Sequence, residues 1–323
     1  MTRASGLVSA IIVTAMLAAA GTCAAQERYA VIVVGAPGGD AYQREFATLE
    51  ASLGKAVRER LSFESSHVIV LSGTTTNPSL TSTREHVRAA FETLRTQVKP
   101  GDLVLVLLAG HGTSDGATAK FNLVGPDLDA SEWAELVAPL QGRVIFVNAT
   151  GASFPFLEAL SRRNRVVVTA TDSSAQRFDT VFAGMFAKAL EDPATDLDRN
   201  GRISVWEAFV QTSAAVAQYF EQHGQLATEH AMLDDNGDRI GRQAEAPGPD
   251  GSLARTVYLD ADPAALSVDP ALAALAARQR ALEEQAEALK LKKKTMPAPQ
   301  WDAEFEQLMI ELARVSRALR QKS

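Results

Sequence analysis

Two runs of branched apolar residues constrain this chain more than anything else in it. Residues 102–113 (DLVLVLLAGHGT) and 143–156 (RVIFVNATGASFPF) each hold enough consecutive Val, Leu, Ile or Phe for a strand buried on both faces, and each stops in small polar residues. Strands of that kind belong to parallel sheets, and in open α/β sheets the carboxyl ends of the strands carry the ligands and the chemistry. The first run delivers His111 there between Gly110 and Gly112, and the second delivers Asn148, Thr150 and Ser153.

Around these two runs the pattern alternates strand and helix. Residues 29–37 (YAVIVVGAP) read as a first strand, and residues 40–61 as an amphipathic helix with Phe46, Leu49, Leu53, Val57 and Leu61 at helical spacing. A second strand centres on residues 68–71; a helix over 83–98 has Thr83 as its N-cap and ends before Pro100-Gly101. A short helix over 131–140, a strand from Arg165 and a helix over 181–190 continue the series. Repeated units of this kind predict an α/β fold of three layers, α/β/α, around a mostly parallel sheet of five or six strands.

The start of the chain has one Arg, an apolar run over residues 7–20 and small residues before Gln26, the pattern of a secretory signal peptide cut after Ala25. The expected location is therefore periplasmic or secreted. Lipidation at Cys23 is the lesser alternative, since Thr22 replaces the usual small residue before such a Cys. Cys23 is the single Cys of all 323 residues, so the exported chain carries no thiol and no disulfide. The formal charge of −7, with no basic cluster before the C-terminal end, gives no reason to expect nucleic acid, and no second apolar run reaches membrane length.

Gly110-His111-Gly112 after one strand, with Asn148-Ala149-Thr150-Gly151-Ala152-Ser153 after another, resembles the two-part signature of the caspase and legumain group of cysteine peptidases. VVVTATDSS from Val166, the Glu207-Ala208-Phe209 triplet and the acidic segment 229–241 add to a legumain-like resemblance that covers residues 29–242. The resemblance implies a caspase-like fold, His111 at the general base, and Thr150 where the family has its nucleophilic Cys. It also implies an oxyanion hole formed by the backbone N–H groups of Thr150 and Gly112. Active members read acidic, Ala, Cys, any residue, Ser, Gly, and often cut after Asn or Asp; here Asn148 replaces the acid and Thr150 the thiol.

A thiolate attacks readily beside a His, whereas a Thr hydroxyl needs stronger activation. The leading expectation is thus a pseudopeptidase that keeps the cleft and binds a polypeptide or protein partner. One alternative is a hydrolase using Thr150 or Ser153 with His111; another is an assembly module acting through the C-terminal helices. Glu158, Asp172 and Arg177 are candidates for contacts that set specificity.

Residues 196–207 (DLDRNGRISVWE) match a calcium loop of the EF-hand type. Asp196, Asp198, Asn200, Ser204 and Glu207 stand at positions one, three, five, nine and twelve, Gly201 at six, and Arg202 supplies its carbonyl at seven. One complete loop without a pair suits structural Ca2+ better than signalling; the competing reading is an Asp-rich turn capping the next helix. Asp234, Asn236 and Asp238 form either a second oxygen-rich site or a plain turn, and His230 is a ligand or loop surface.

Residues 243–268 read as a linker, with 254–262 a candidate last strand. Residues 269–323 read as a coiled-coil-like helical hairpin broken at TMPAPQ, with Trp301 and Phe305 as anchors and the Lys-rich 289–294 as a solvated helix end. Two helices bury little surface alone, so this stripe is expected on the domain, on a second copy, giving an oligomer, or on another protein.

Overall fold

The computed structural model describes residues 26–116, 118–176, 178–261 and 269–322. The leader expected over residues 1–25, its Cys23 and the candidate specificity residue Arg177 lie outside them.

The chain opens with β1 (Arg28–Val34) and α1 (Asp40–Lys55), which widens into a π-helical stretch as far as Arg60. β2 (Val68–Ser72) precedes α2 (Arg84–Gln97), where the Thr83 hydroxyl accepts from the His86 N–H at 3.2 Å as the expected cap. β3 (Leu103–Ala109) is buried at every residue. Three short strands follow, β4 (Gly112–Ser114), β5 (Ala119–Phe121) and β6 (Leu128–Asp129), paired as a separate antiparallel sheet. Two or three residues are too few for alternation to show in sequence, which is why this sheet was not expected.

α3 (Ala130–Val137) starts on a capping box between Asp129 and Glu132. Then come β7 (Arg143–Asn148), α4 (Phe154–Leu160), β8 (Arg165–Thr169), α5 (Phe182–Glu191) and α6 (Val205–Gln222). β9 (Met232–Asp234), α7 (Ser252–Thr256), α8 (Pro270–Leu291) and α9 (Ala298–Lys322) complete the order.

The main sheet runs β2-β1-β3-β7-β8-β9; the first five strands are parallel and β9 is antiparallel. Successive side chains point to opposite faces, and the two faces build two cores. Ile32, Leu105, Leu107, Ile145 and Val147 pack with α1, α5 and α6. Val31, Val33, Val106, Phe146 and Val167 pack with α2, α3 and α4 around the fully buried Trp133. The result is the three-layer α/β/α arrangement with a C-terminal helical pair.

The sixth strand is not where the sequence suggested. Within 254–262 the described residues begin in α7, and the backbone that follows pairs with the chain leading into α6, through Val205 N–H to Val257 O at 2.9 Å and Leu259 N–H to Ile203 O at 2.8 Å. The edge beside β8 is taken instead by β9, out of the acidic segment.

α8 lies against α7, with Leu272, Ala276, Leu282, Ala286 and Leu289 buried, and α9 packs back on α8. Trp301 is the anchor: its indole N–H donates to Leu289 O at 2.8 Å and its ring stacks on Phe305 at 4.7 Å. Beyond Trp301 no described residue of α9 is buried, and Met309 and Ile310 are exposed. No helix among the described residues is long and apolar enough to cross a membrane.

Candidate functional site

β3 and β7 are neighbours, so their carboxyl ends bring Gly110-His111-Gly112 beside Asn148-Ala149-Thr150. The meeting of the two motifs is therefore real.

His111 faces an acceptor on each side. Its Nδ1 lies 2.9 Å from Asp179 Oδ1 and its Nε2 3.3 Å from Pro37 O. A doubly protonated ring donates to both, and a neutral ring satisfies only one. The Tyr42 hydroxyl donates to the other oxygen of Asp179, which holds the phenol protonated above its ordinary range. Tyr42 and Phe46 also enclose the imidazole, with ring centres 4.5 and 4.9 Å away. The pair His111–Asp179 joins residues far apart in sequence, and Asp179 stands in a loop without a motif. Nothing in the sequence marked it.

Thr150 is fully buried, and its hydroxyl donates to Asn148 Oδ1 at 2.7 Å, with Gly151 O at 3.1 Å. The Thr150 backbone N–H also goes to Asn148 Oδ1, at 3.1 Å, so the expected oxyanion donor is spent inside the turn. Gly112 lies directly over this corner. A Cβ there would sit 2.1 Å from Gly151 O and 2.5 Å from the Thr150 hydroxyl oxygen, so the glycine is required by the protein's own packing rather than by an approaching substrate.

Ser153 is likewise buried. Its hydroxyl meets Thr171 Oγ1 at 3.0 Å and accepts from the Thr171 N–H at 3.2 Å, tying the start of α4 to the end of β8. Neither hydroxyl has a hydrogen bond to His111. In a bound complex a nucleophile and its base lie within about 2.6–3.2 Å.

A cavity of about 350 Å³ opens beside His111, between α1 and α5, lined by Phe46, Leu49, Asp179, Val181 and Met185 among others. Glu158 and Asp172 are exposed and lie outside its lining. Glu229, also unmarked as a site residue in sequence, sets the start of α5: its carboxylate accepts from Val181 N–H at 2.8 Å and Phe182 N–H at 3.1 Å. Burial pushes it up to about 7.

The calcium-type loop is closed on itself. Carboxylate oxygens of Asp196, Asp198 and Glu207 lie within 4.8 Å of one another. Gly201 turns at φ 85°, and its N–H donates to Asp196 at 2.8 Å. Burial, then the neighbouring Glu207, push Asp198 up to about 6. This donor set fits a hard divalent cation. Ser204 forms a capping box with Glu207, and the Asn200 side chain bonds Arg202 N–H, Asp198 and Tyr258. The Arg202 side chain turns to Asp260 and lies over the Tyr258 ring, leaving the carbonyl as its only candidate ligand.

Fold and site thus define a three-layer α/β protein with a His–Asp pair and a cavity at the strand ends, and no thiol among the described residues. No protein-family model matches this chain, and no curated protein matches it. Among solved structures, the Drosophila initiator caspase Dronc is similar over 75% of this chain and 97% of its own, at 13% identity and a TM-score of 0.45. Caspase-1 from Spodoptera frugiperda is similar over 65% and 87%, at 12% and 0.41. A protein from Geobacter sulfurreducens is similar over 67% and 97%, at 10% and 0.40. At these values the likeness assigns no activity.

Proposed function

We propose that this chain is an exported, legumain/caspase-like pseudopeptidase, a domain that binds a polypeptide or protein partner at the strand ends without cleaving it. The observation that carries this reading is the state of Thr150: buried, bonded to Asn148 through both its hydroxyl and its N–H, and without a bond to His111. Binding and bond breaking use different groups, so a cleft outlives its nucleophile. The cavity beside His111 and Asp179 suits an apolar side chain of such a partner, with Asp179 and Tyr42 as polar groups at its edge.

In this reading Ca2+ is a structural ion. Asp196, Asp198 and Glu207 hold it, with Asn200 and the Arg202 carbonyl completing the loop, and it offsets the charge gathered between the segment after α5 and the start of α6. Export rests on the leader pattern of residues 1–25.

The experiment is turnover and binding of a fluorogenic peptide library by the purified protein, with and without Ca2+, beside His111→Ala. The expected result is no turnover in either protein and peptide binding that weakens in His111→Ala. Turnover that disappears with His111→Ala would overturn the reading and make Thr150 or Ser153 a nucleophile. Binding that is absent in both would also overturn it and turn attention to the α8–α9 pair.

A further inference from the structure

At the end of β9 the chain turns through Asp234-Asp235-Asn236-Gly237-Asp238. The sequence suggests Asp234, Asn236 and Asp238 as alternating ligands, but the Asn236 side chain is used locally, accepting from the Asp238 N–H at 2.7 Å. Its place is taken by a residue from a separate segment. Carboxylate oxygens of Asp234, Asp238 and Asp250 lie within 4.8 Å of one another. Two oxygens bound to one calcium-sized ion at about 2.4 Å are at most about 4.8 Å apart, so the three fit one coordination sphere.

The site is built rather than accidental. Asp235 points the other way and accepts from Gly251 N–H at 3.0 Å and Ala254 N–H at 2.8 Å, which pins the turn that carries Asp250. Asp234 is held by Ser161 Oγ at 2.6 Å and by the Arg239 and Gly237 N–H groups, and Asp238 by the Ile240 N–H.

Asp250 supplies the independent sign of a missing ligand. Its side chain is fully buried; Oδ1 accepts from the Asp235 N–H at 3.2 Å, and Oδ2 accepts no hydrogen bond. Buried carboxylate oxygens do not ordinarily go unbonded. Among the described residues Arg242 is the cation paired with it, with Nε 3.3 Å from Asp250 Oδ2 and a terminal nitrogen 3.6 Å from Asp238, yet Nε makes no hydrogen bond. One guanidinium thus stands loosely against two of the three carboxylates.

We propose that Asp234, Asp238 and Asp250 form a second site for a hard divalent cation of the calcium class, separate from the loop at 196–207, in which the ion replaces Arg242 as the counter-charge. Such an ion ties the edge strand β9 to the turn before α7.

The test measures Ca2+ bound per chain by equilibrium dialysis, with affinity by calorimetry, on the purified protein and on Asp238→Asn, Arg242→Gln and Glu207→Gln. Asp238 is the most exposed of the three ligands, and Asn keeps an acceptor for the Ile240 N–H, so this variant keeps its fold. The expected result is one fewer ion bound in Asp238→Asn, and a several-fold gain in affinity at that site in Arg242→Gln, which removes the competing cation. An unchanged ion count in Asp238→Asn, or weaker binding in Arg242→Gln, overturns the proposal. Glu207→Gln reports on the other loop alone: an ion that survives it and is lost in Asp238→Asn belongs to the site proposed here, whether or not the first loop binds.

Discussion

Thr150→Val separates a structural hydroxyl from a nucleophile. The substitution keeps the branched shape and removes the donor that reaches Asn148 Oδ1 at 2.7 Å, leaving that buried oxygen with the Thr150 N–H alone at 3.1 Å. A lost intramolecular hydrogen bond with a partly unsatisfied acceptor costs about 1–2 kcal/mol. The incoming methyl adds to this, because a carbon cannot sit as close to the amide oxygen as the hydroxyl does, and Gly112 closes the space above it. For a chain of this size the melting temperature is expected to fall by roughly 2–4 °C. Denaturant unfolding gives the stability and the fluorogenic library gives turnover, expected to be nil before and after. A Thr150→Val protein that is as stable as wild type but has lost a measurable turnover would refute the structural account of Thr150.

Other outcomes follow from the same contacts. Thr150→Cys alone is expected to create no peptidase, since His111 remains turned to Asp179 and Pro37; turnover by this variant shows the imidazole to be free. Glu229 has a folded pKa of about 7, above its unfolded value near 4, so it contributes stability that is complete below the unfolded pKa and lost as pH rises through about 7. Glu229→Gln should therefore flatten the decline in stability between pH 5 and 8 by on the order of 1–3 kcal/mol, and an unchanged slope would contradict the assignment. Trp301→Ala removes the N–H bond to Leu289 O and the stacking on Phe305, and is expected to raise protease cleavage between α8 and α9 while the main unfolding transition stays in place. A main transition that moves by as much as a core deletion would show the hairpin to be part of the domain's cooperative unit.

The layers were legible because burial on both faces demands long apolar runs, and β3 and β7 have them; the same runs fixed which loops meet, and so His111 beside Thr150. Helix signals at Thr83 also survived, because a cap is a local bond. What was not legible depends on distant partners. Asp179, Tyr42 and Glu229 are single residues in unremarkable stretches, and only the folded chain brings the first two to His111 and the third to the start of α5. The edge strand was missed because Met232–Asp234 is three residues long and reads as part of an acidic loop. Asp250 was missed for the same reason as Asp179: nothing nearby in sequence says what it faces.

Asn148 and Thr150, the two positions that differ from the motif the sequence resembles, act as one structural unit. The amide oxygen of Asn148 takes both the hydroxyl and the N–H of Thr150, so each residue gives the other its reason to stay buried. A thiol at 150 is a weak donor and would leave its sulfur uncommitted, as a nucleophile requires. A hydroxyl commits itself, and with Gly112 packed against it the corner closes. The His111–Asp179–Tyr42 chain is then free to serve as a fixed polar edge for the neighbouring cavity. On the pseudopeptidase reading proposed above, changing either position alone leaves the imidazole engaged, so catalysis would require at least a thiol at 150 and the release of His111 from Asp179 together.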